Sequence, residues 1–530
     1  MSKVGEIRDL LQRRGVQVNL KTFPLNASWE ESQLEQISLE GISANSQEIM
    51  AGMVFAALPG LKNHGAQFAS AAVAQGACAV LTDEVGLTIL SNLADNTPGV
   101  QERESTDPIP VILVDNPLRY LGEVAAAIYD HPFASMRTFA ITGTNGKTTT
   151  AFMLEQILAS AGATPGLIGT VAVRVGEHSV PATLTTPMPA DFQRIGAQMR
   201  ERGASDLVME VSSHALAQRR TDPVHFSVAG FTNLTQDHLD YHHTLQEYFY
   251  AKASLFNSSR CERAVILVDD EWGTQLYRDN SDHATALAFD SLIPSGSTGW
   301  QAHSEGDILT LTHTDGTQIH VRVGLPGHFN LANAALALAM AWEGGVRSFP
   351  QVIAPQVPGR MEVVNQRPRV VVDFAHNTDA LVQAMVALSP VSRSDGECSA
   401  TQGRLIVLSG AAGERDREKR PAMGAALARG GDVVIITDDD PHAEDPALIR
   451  HALLEGAHEA TVAGARAEIL EVPDRYEAIS RAVEIARASD TILLAGRGHE
   501  THQDRGSELV ELDDREAARR ALLAYGKKDT

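Results

Sequence analysis

The run Gly143-Thr-Asn-Gly-Lys-Thr-Thr149 holds the residue types that grip a phosphate. Its glycines, Gly143 and Gly146, let backbone N–H groups approach phosphate oxygens, Lys147 brings a mobile positive charge, and the Thr148 hydroxyl can ligate Mg²⁺. The apolar segment Thr138-Phe-Ala-Ile141 before the run and an amphipathic stretch after it predict strand, loop and helix in that order. The loop would then meet a helix N-terminus and its dipole. The general phosphate loop has four residues between its first glycine and Gly-Lys. Here that position is Ile141, so the spacing is the shorter Gly-x-x-Gly-Lys-Thr. Such clusters also occur in ordinary turns, and the loop alone leaves both readings open.

Two further motifs put carboxylates and imidazoles at strand ends. Glu210-Val-Ser-Ser-His-Ala-Leu216 follows the apolar Leu207-Val-Met209, and Asn233-Leu-Thr-Gln-Asp-His238-Leu-Asp-Tyr-His242 follows Val228-Ala-Gly-Phe-Thr232. Carboxylate oxygens suit Mg²⁺, which keeps waters and substrate phosphates as its other ligands. Glu210 and His238 are therefore candidates for a metal or phosphate site. His238 and His242 would serve equally as helix-start residues bonded to backbone.

The elements that must position these motifs read as an α/β architecture. Ala264-Val-Ile-Leu-Val268, Leu405-Ile-Val-Leu408, Asp432-Val-Val-Ile-Ile436 and Thr491-Ile-Leu-Leu494 look like buried strands, alternating with helical stretches such as Ala334 to Trp342. At 530 residues, and with about 150 residues per domain, three domains are expected. A boundary falls near Ser135, after His131-Pro132, and another near Ala354-Pro355-Gln356-Val357-Pro358-Gly359, giving segments 1–134, 135–355 and 356–530. The last restarts a Rossmann-like rhythm, with Thr437-Asp-Asp-Asp440 and Gly496-Arg-Gly-His-Glu500 at carboxyl ends of strands, where such sheets bind ligands. Asn96 to Pro110 and Ser392 to Gly403 read as loops.

A net charge of −23 argues against a nucleic-acid surface. Cys78, Cys261 and Cys398 are odd in number and far apart, which argues against a disulfide scaffold and fits a reducing compartment. No apolar run approaches the roughly 18 residues of a membrane span, and residues 1–20 lack a signal core, so a soluble cytoplasmic protein is expected.

Taken together, the phosphate loop, Glu210-Val-Ser-Ser-His, Thr232 to His242, Gly327-His-Phe-Asn330-Leu-Ala-Asn333 and Asp373-Phe-Ala-His-Asn-Thr-Asp379 resemble the Mur ligases of peptidoglycan synthesis over essentially the whole chain. Thr185-Thr-Pro187, Ser212 through Arg220 and Gly496 to Glu500 resemble the third-step, tripeptide-forming members. The resemblance implies three domains: an α/β uridine-nucleotide-binding domain, a P-loop ATPase-like parallel-sheet domain and a Rossmann-like domain. It implies ATP and Mg²⁺ as cofactors, small-molecule substrates, and a monomer that neither inserts in membranes nor binds nucleic acid.

Residue by residue, it implies that Gly143, Thr144, Asn145, Gly146, Lys147, Thr148 and Thr149 hold ATP, bracketed by Asn330, Arg360, Asp373 and His376. Glu210, His238, Thr148 and Lys252 would hold Mg²⁺, Lys252 as a carbamate, since a neutral amine that adds CO₂ becomes an anion able to ligate metal. Ser46, Thr185, Thr186, Ser212, Gln218 and Arg220 would contact the UDP-sugar dipeptide; Asn45-Ser46-Gln47 departs from the family's Asp-Ser-Arg, so only Ser46 carries over there. Catalysis would rest on Lys147, Glu210, His238 and Lys252.

The implied reaction is ATP-driven amide formation through an acyl phosphate. Arg415, Asp439, Asp440, Pro441, His442, Gly496 and Glu500 would form the pocket for the incoming amino acid. Enzymes that add meso-diaminopimelate carry Asp-Asn-Pro-Arg where this chain has Asp439-Asp-Pro-His442. An arginine grips the distal carboxylate with a fork of two hydrogen bonds, whereas His442 offers mostly one. Arg415 and Arg497 remain as carboxylate partners, while Asp440 would suit lysine or ornithine. Diaminopimelate is the first expectation and L-lysine or L-ornithine the alternative. A folylpolyglutamate synthase would share the ATP loop but not Thr185-Thr-Pro187 or Gly498-His-Glu500. A catalytically inactive scaffold would be expected to lose Lys147, Glu210, His238 or Lys252, and all four are present.

Overall fold

The structure is a computed structural model that describes residues 2–24, 29–60, 62–96, 108–389 and 403–527. The expected loops at Asn96 to Pro110 and Ser392 to Gly403, with Cys398, lie almost wholly outside them. Cys78 and Cys261 are free thiols. Among the described residues no helix is long and apolar enough to cross a membrane. Backbone contacts divide the chain into two units, Met1–Phe139 with Ala163–Ser227 and Ser259–Cys261, and Ala140–Gly162 with Val228–Ser258 and Glu262–Thr530.

In the first unit Asn19–Phe23, Ile109–Leu113, Ala79–Thr82, Met53–Ala56 and Gly41–Ser43 are neighbours in that order in a five-stranded sheet. All pairs are parallel except the first. Successive strand residues point to opposite faces, and both faces are covered. Val54, Ala56, Leu81 and Ile112 join one apolar cluster, while Met53, Phe55, Val80 and Val111 join the other. This explains why the strands read as continuous apolar runs. Helix Pro117–Ile128 packs on the first cluster because Leu121, Val124, Ala125 and Ile128 recur at helical spacing. Asn116 caps it by accepting from Arg119 N–H at 3.0 Å, with proline at the first position. The same unit carries His178–Pro181, Ala172–Val175, Pro165–Ile168 and Asp206–Glu210 as successive strands.

Among the described residues the second unit holds two larger strand systems and a small antiparallel pair, His502–Asp504 with Leu509–Glu511. Cys261–Leu267, almost all of it in this unit, pairs parallel with Ala284–Ala288, which pairs parallel with Gly299–Glu305. An antiparallel meander follows through Ile308–His313 and Gln318–Val323. The second system is a six-stranded sheet in the order Glu362–Gln366, Arg369–Asp373, Thr491–Ala495, Leu405–Ser409, Val433–Ile436, Glu468–Glu471. Only the first pair is antiparallel. Residues 370, 372, 406, 408, 492 and 494 face one core, and 371, 405, 407, 493 and 495 the other.

One buried ion pair sets how this sheet ends. Arg475, first residue of helix Arg475–Ile485, donates from Nε and Nη2 to the two oxygens of Asp514 at 2.9 and 2.7 Å, and from Nη2 to the carbonyl of Ala495 at 2.9 Å. Both side chains are fully buried. The pair fastens two helices to the strand end from which Gly496 to Glu500 departs. Because removing one partner strands the other charge in the interior, Asp514→Ala is expected to lower stability by about 3–5 kcal/mol, read as a fall in denaturant midpoint. Glu484→Ala, which breaks the exposed Arg481 pair, is expected to cost less than about 1 kcal/mol.

Candidate active site

The phosphate loop lies between strand Arg137–Thr142 and helix Lys147–Ser160. Its shape is enforced by neighbours in the second unit. Thr232 Oγ1 donates to the Asn145 carbonyl at 2.6 Å, Thr144 N–H to Asn233 O at 2.9 Å, and Asn145 N–H to Asn233 Oδ1 at 3.0 Å. Gly143 and Gly146 have φ of 150° and 87°. A Cβ on Gly143 would lie 1.8 Å from Thr232 Oγ1, and one on Gly146 2.3 Å from Asn333 Oδ1, so both positions require glycine. Asn333 also donates to Asn330 Oδ1 at 3.2 Å, and Asn330 to Pro326 O at 2.7 Å. Thr148 and Thr149 are buried in the first helical turn.

Two lysines converge on one carbonyl. Lys147 Nζ donates to Gly143 O at 3.0 Å and Thr144 O at 2.8 Å, and Lys252 Nζ donates to the same Gly143 O at 2.7 Å. Lys252 is 1 % exposed, with its Nζ 4.5 Å from the Tyr248 ring centroid. Burial first, then the charge of Lys147, pushes its amine well below the usual lysine range, against the opposing pull of Asp237. The neutral amine this favours is the form that adds CO₂. Tyr248, whose hydroxyl lies 3.2 Å from Thr144 Oγ1, is shifted the other way, its phenol raised by burial.

Asp237 gathers residues from distant parts of the unit. His376 Nε2 lies 3.5 Å and Asn377 Nδ2 3.2 Å from its Oδ2, while Lys419 Nζ and the His238 N–H reach its Oδ1 at 3.2 and 3.0 Å. Burial acts to raise this carboxyl, but the His376 hydrogen bond and the charges of His238, His376 and Lys419 hold it well below the usual range. Asn145 Nδ2 adds a bond to Asp379 at 3.0 Å. Arg360 stacks 4.1 Å over Phe374, and half-buried Asp373 accepts from Met361 and Ala375 N–H at 2.7 and 2.9 Å. Burial pushes Asp373 up, opposed by Arg360. His376, Asp373, Arg360 and Asn330 thus all lie in the unit that holds the loop. Asn145, Asp237, Asn377, Asp379 and Lys419 supply cross-links; of these only Asn145 had been singled out as a site residue.

In the first unit five of the six residues assigned to the sugar-dipeptide ligand are knitted around Glu210. Thr186 Oγ1 donates to Glu210 O at 2.9 Å and accepts from Ser212 N–H at 3.1 Å. Arg220 donates to Thr186 O at 2.9 Å and to Gln218 Oε1 at 2.8 Å. The fully buried Glu210 carboxylate accepts from Thr170 N–H and Oγ1 at 2.8 and 3.0 Å, and Thr170 Oγ1 lies 3.1 Å from Thr185 Oγ1. Thr170 had no motif of its own to mark it. Ser46 begins a short turn after strand Gly41–Ser43, which Asn45 caps.

The residues expected to receive the amino acid form a third group. Asp439, Asp440 and Glu500 bring one oxygen each within 4.8 Å of the others. The buried Arg497 contacts all three. His442 Nδ1 lies 3.0 Å from Asp504 Oδ2, the Pro441 carbonyl accepts from Glu444 N–H at 3.0 Å, and Arg415 is exposed. Asp440 therefore faces a guanidinium, where its charge alone would have suited an ammonium.

Family models match along the chain as the Mur ligase family, catalytic domain, over residues 38–129, the Mur ligase middle domain over 141–341, and the Mur ligase, glutamate ligase domain, over 359–498. The fold and loop thus define an ATP-dependent ligase. The chain belongs to the Mur ligase family. It is 40% identical over 488 residues to UDP-N-acetylmuramoyl-L-alanyl-D-glutamate--2,6-diaminopimelate ligase of Corynebacterium efficiens, covering 88% of this chain and 87% of that one. The protein of the same name from Streptomyces coelicolor is 37% identical over 505 residues, covering 91% and 92%. A solved structure of a ligase so named matches with a TM-score of 0.57 and 28% identity, over 96% of this chain and 100% of that one.

Burial first, then Asp439, lifts the Glu500 carboxyl to about 8, with Arg497 opposing. A carboxyl raised on folding favours its neutral form, so the fold loses stability as pH rises from the exposed value of about 4.3 and loses no more above about 8. Glu500→Gln is expected to gain Tm relative to the wild type across that window and to hold a constant gain above it.

Proposed function

We propose that this chain joins meso-2,6-diaminopimelate to UDP-N-acetylmuramoyl-L-alanyl-D-glutamate, consuming ATP and passing through an acyl phosphate. The relatives so named support the substrates, and the observation that carries the chemistry is Lys252, a buried amine beside Lys147 on the Gly143 carbonyl. An ATP loop that only bound nucleotide would have no use for it.

Loop N–H groups and Lys147 hold the ATP phosphates. A glutamyl carboxylate oxygen attacks the γ-phosphorus and ADP leaves; the amine of the incoming amino acid attacks the acyl carbon, and phosphate leaves with the carboxylate oxygen. Lys147 offsets the charge that develops during transfer. The donors of the second unit suit Mg²⁺ in kind, a half-exposed imidazole, a hydroxyl and an amine poised to become an anionic carbamate; in the first unit Glu210 is a fully buried carboxylate with oxygens oriented by Thr170. Glu210, His238, Thr148 and carbamylated Lys252 would hold the ion, which would neutralise phosphoryl oxygens. Asp237, which His376 and Lys419 contact, accepts from the His238 N–H. Thr185, Thr186, Ser212, Gln218, Arg220 and Ser46 would bind the UDP-sugar dipeptide, and Glu500 would pair with an ammonium of the amino acid.

The same reading divides the chain into domains at 134/135 and 355/356 and places the reaction in the cytoplasm, carried out by a monomer serving cell-wall growth and division. A ligation assay with ATP, Mg²⁺ and the UDP-linked dipeptide is expected to yield the diaminopimelate tripeptide by mass. Product with L-lysine or L-ornithine alone would reject the substrate, and no product with any of the three would reject the step. Thr170→Val is expected to lower kcat and raise the half-saturating Mg²⁺ concentration by roughly 10–100-fold, as for other residues that orient a metal ligand.

A further inference from the structure

The carboxylate cluster of Asp439, Asp440 and Glu500 would, unopposed, present a strongly negative wall and favour an amino acid whose side chain ends in an ammonium. Arg497 changes that balance. Its side chain is fully buried, and an arginine keeps its proton in proteins. One terminal nitrogen bonds Asp440 Oδ1 and lies 3.4 Å from Asp439 Oδ1 and 3.6 Å from Glu500 Oε2. The other donates to the His502 carbonyl. Asp440 Oδ1 is further tied by the Asp504 N–H at 3.1 Å, so this carboxylate is directed at protein donors. Nearby cations are otherwise engaged: Arg417 and Arg420 pair with Glu444, and His442 with Asp504. Arg415 and Arg417 are both exposed, and of this group Arg415 alone makes no hydrogen bond or ion pair among the described residues.

We propose that Arg497 determines substrate choice from a positioning role: by pairing with Asp440 it withdraws that carboxylate from the ligand's field, so the pocket favours an amino acid whose far end carries a carboxylate beside its ammonium. Arg415 is the cation left to meet that carboxylate. This rests on the reading above that the Asp439 to His442 and Gly496 to Glu500 loops receive the incoming amino acid. Asp440, which replaces the asparagine of diaminopimelate-adding relatives, then carries no preference for lysine so long as its arginine partner is in place.

The test is the ratio of kcat/KM for meso-diaminopimelate to that for L-lysine in the full-length enzyme. The wild type is expected to favour diaminopimelate. Arg497→Gln should shift the ratio toward lysine by on the order of tenfold or more, the effect of uncovering one charge in a partly buried pocket. Arg497→Lys should keep the wild-type preference, and adding Asp440→Asn to Arg497→Gln should restore much of it. Asp440→Asn alone should hold the ratio or move it toward diaminopimelate, and it carries the test if Arg497→Gln fails to fold. Equal losses on both substrates in Arg497→Gln, or lysine gaining in Asp440→Asn, would overturn the inference alone. A wild type that ligates neither amino acid would overturn the assigned step and the inference with it.

Discussion

The Gly143 carbonyl is the point on which the site turns. It accepts from two lysine amines at once, one of them buried to 1 % exposure. Two ammonium groups cannot share so small and dry a space without large repulsion. The arrangement therefore favours a neutral Lys252 and leaves Lys147 as the cation that would face phosphate. That division of labour depends on backbone geometry, because only a loop with positive φ at Gly143 and Gly146 turns this carbonyl toward both amines while aiming N–H groups at a ligand.

Side chains from far along the chain hold that geometry. Thr232, Asn233 and Asn333 leave no room for a Cβ or fix the loop N–H groups, while Asn145, Asn377, Asp379, Asp237, His376 and Lys419 form a continuous polar net. Its bonds to an ionised Asp237 are charge-assisted and correspondingly strong. The net links the loop that would hold ATP to the segment whose sheet ends carry the proposed amino-acid pocket. In that pocket too the interior guanidiniums of Arg475 and Arg497 set where the carboxylates point.

Much of this was legible before the structure. Buried parallel strands announce themselves as apolar runs: those at residues 207–209, 405–408 and 491–494 lie inside observed strands, while 228–232, 264–268 and 432–436 each overrun theirs by one residue. The phosphate loop, Glu210 and His238 could be picked out as strand-end motifs, with an ordinary turn or helix-start reading open beside the loop and His238, whereas Lys252 came only with the family resemblance. The antiparallel meander Gly299–Val323 was not marked, although the inward Ile319, Val321 and Val323 alternate at period two. Thr170, Asn377 and Lys419 were hidden for a different reason: each acts by bonding a residue far off in sequence, and no local pattern encodes such a partner. Asp440 shows the same limit. Its charge was readable, but the buried arginine that neutralises it is 57 positions away.

The central claim is that this loop activates a substrate carboxylate by phosphoryl transfer. Its most direct test is to label the D-glutamyl carboxylates of the UDP-linked dipeptide with ¹⁸O, run the reaction with ATP, Mg²⁺ and meso-diaminopimelate, and weigh the phosphate released. One labelled oxygen is expected in each phosphate formed with product. Product formation accompanied by unlabelled phosphate would contradict it.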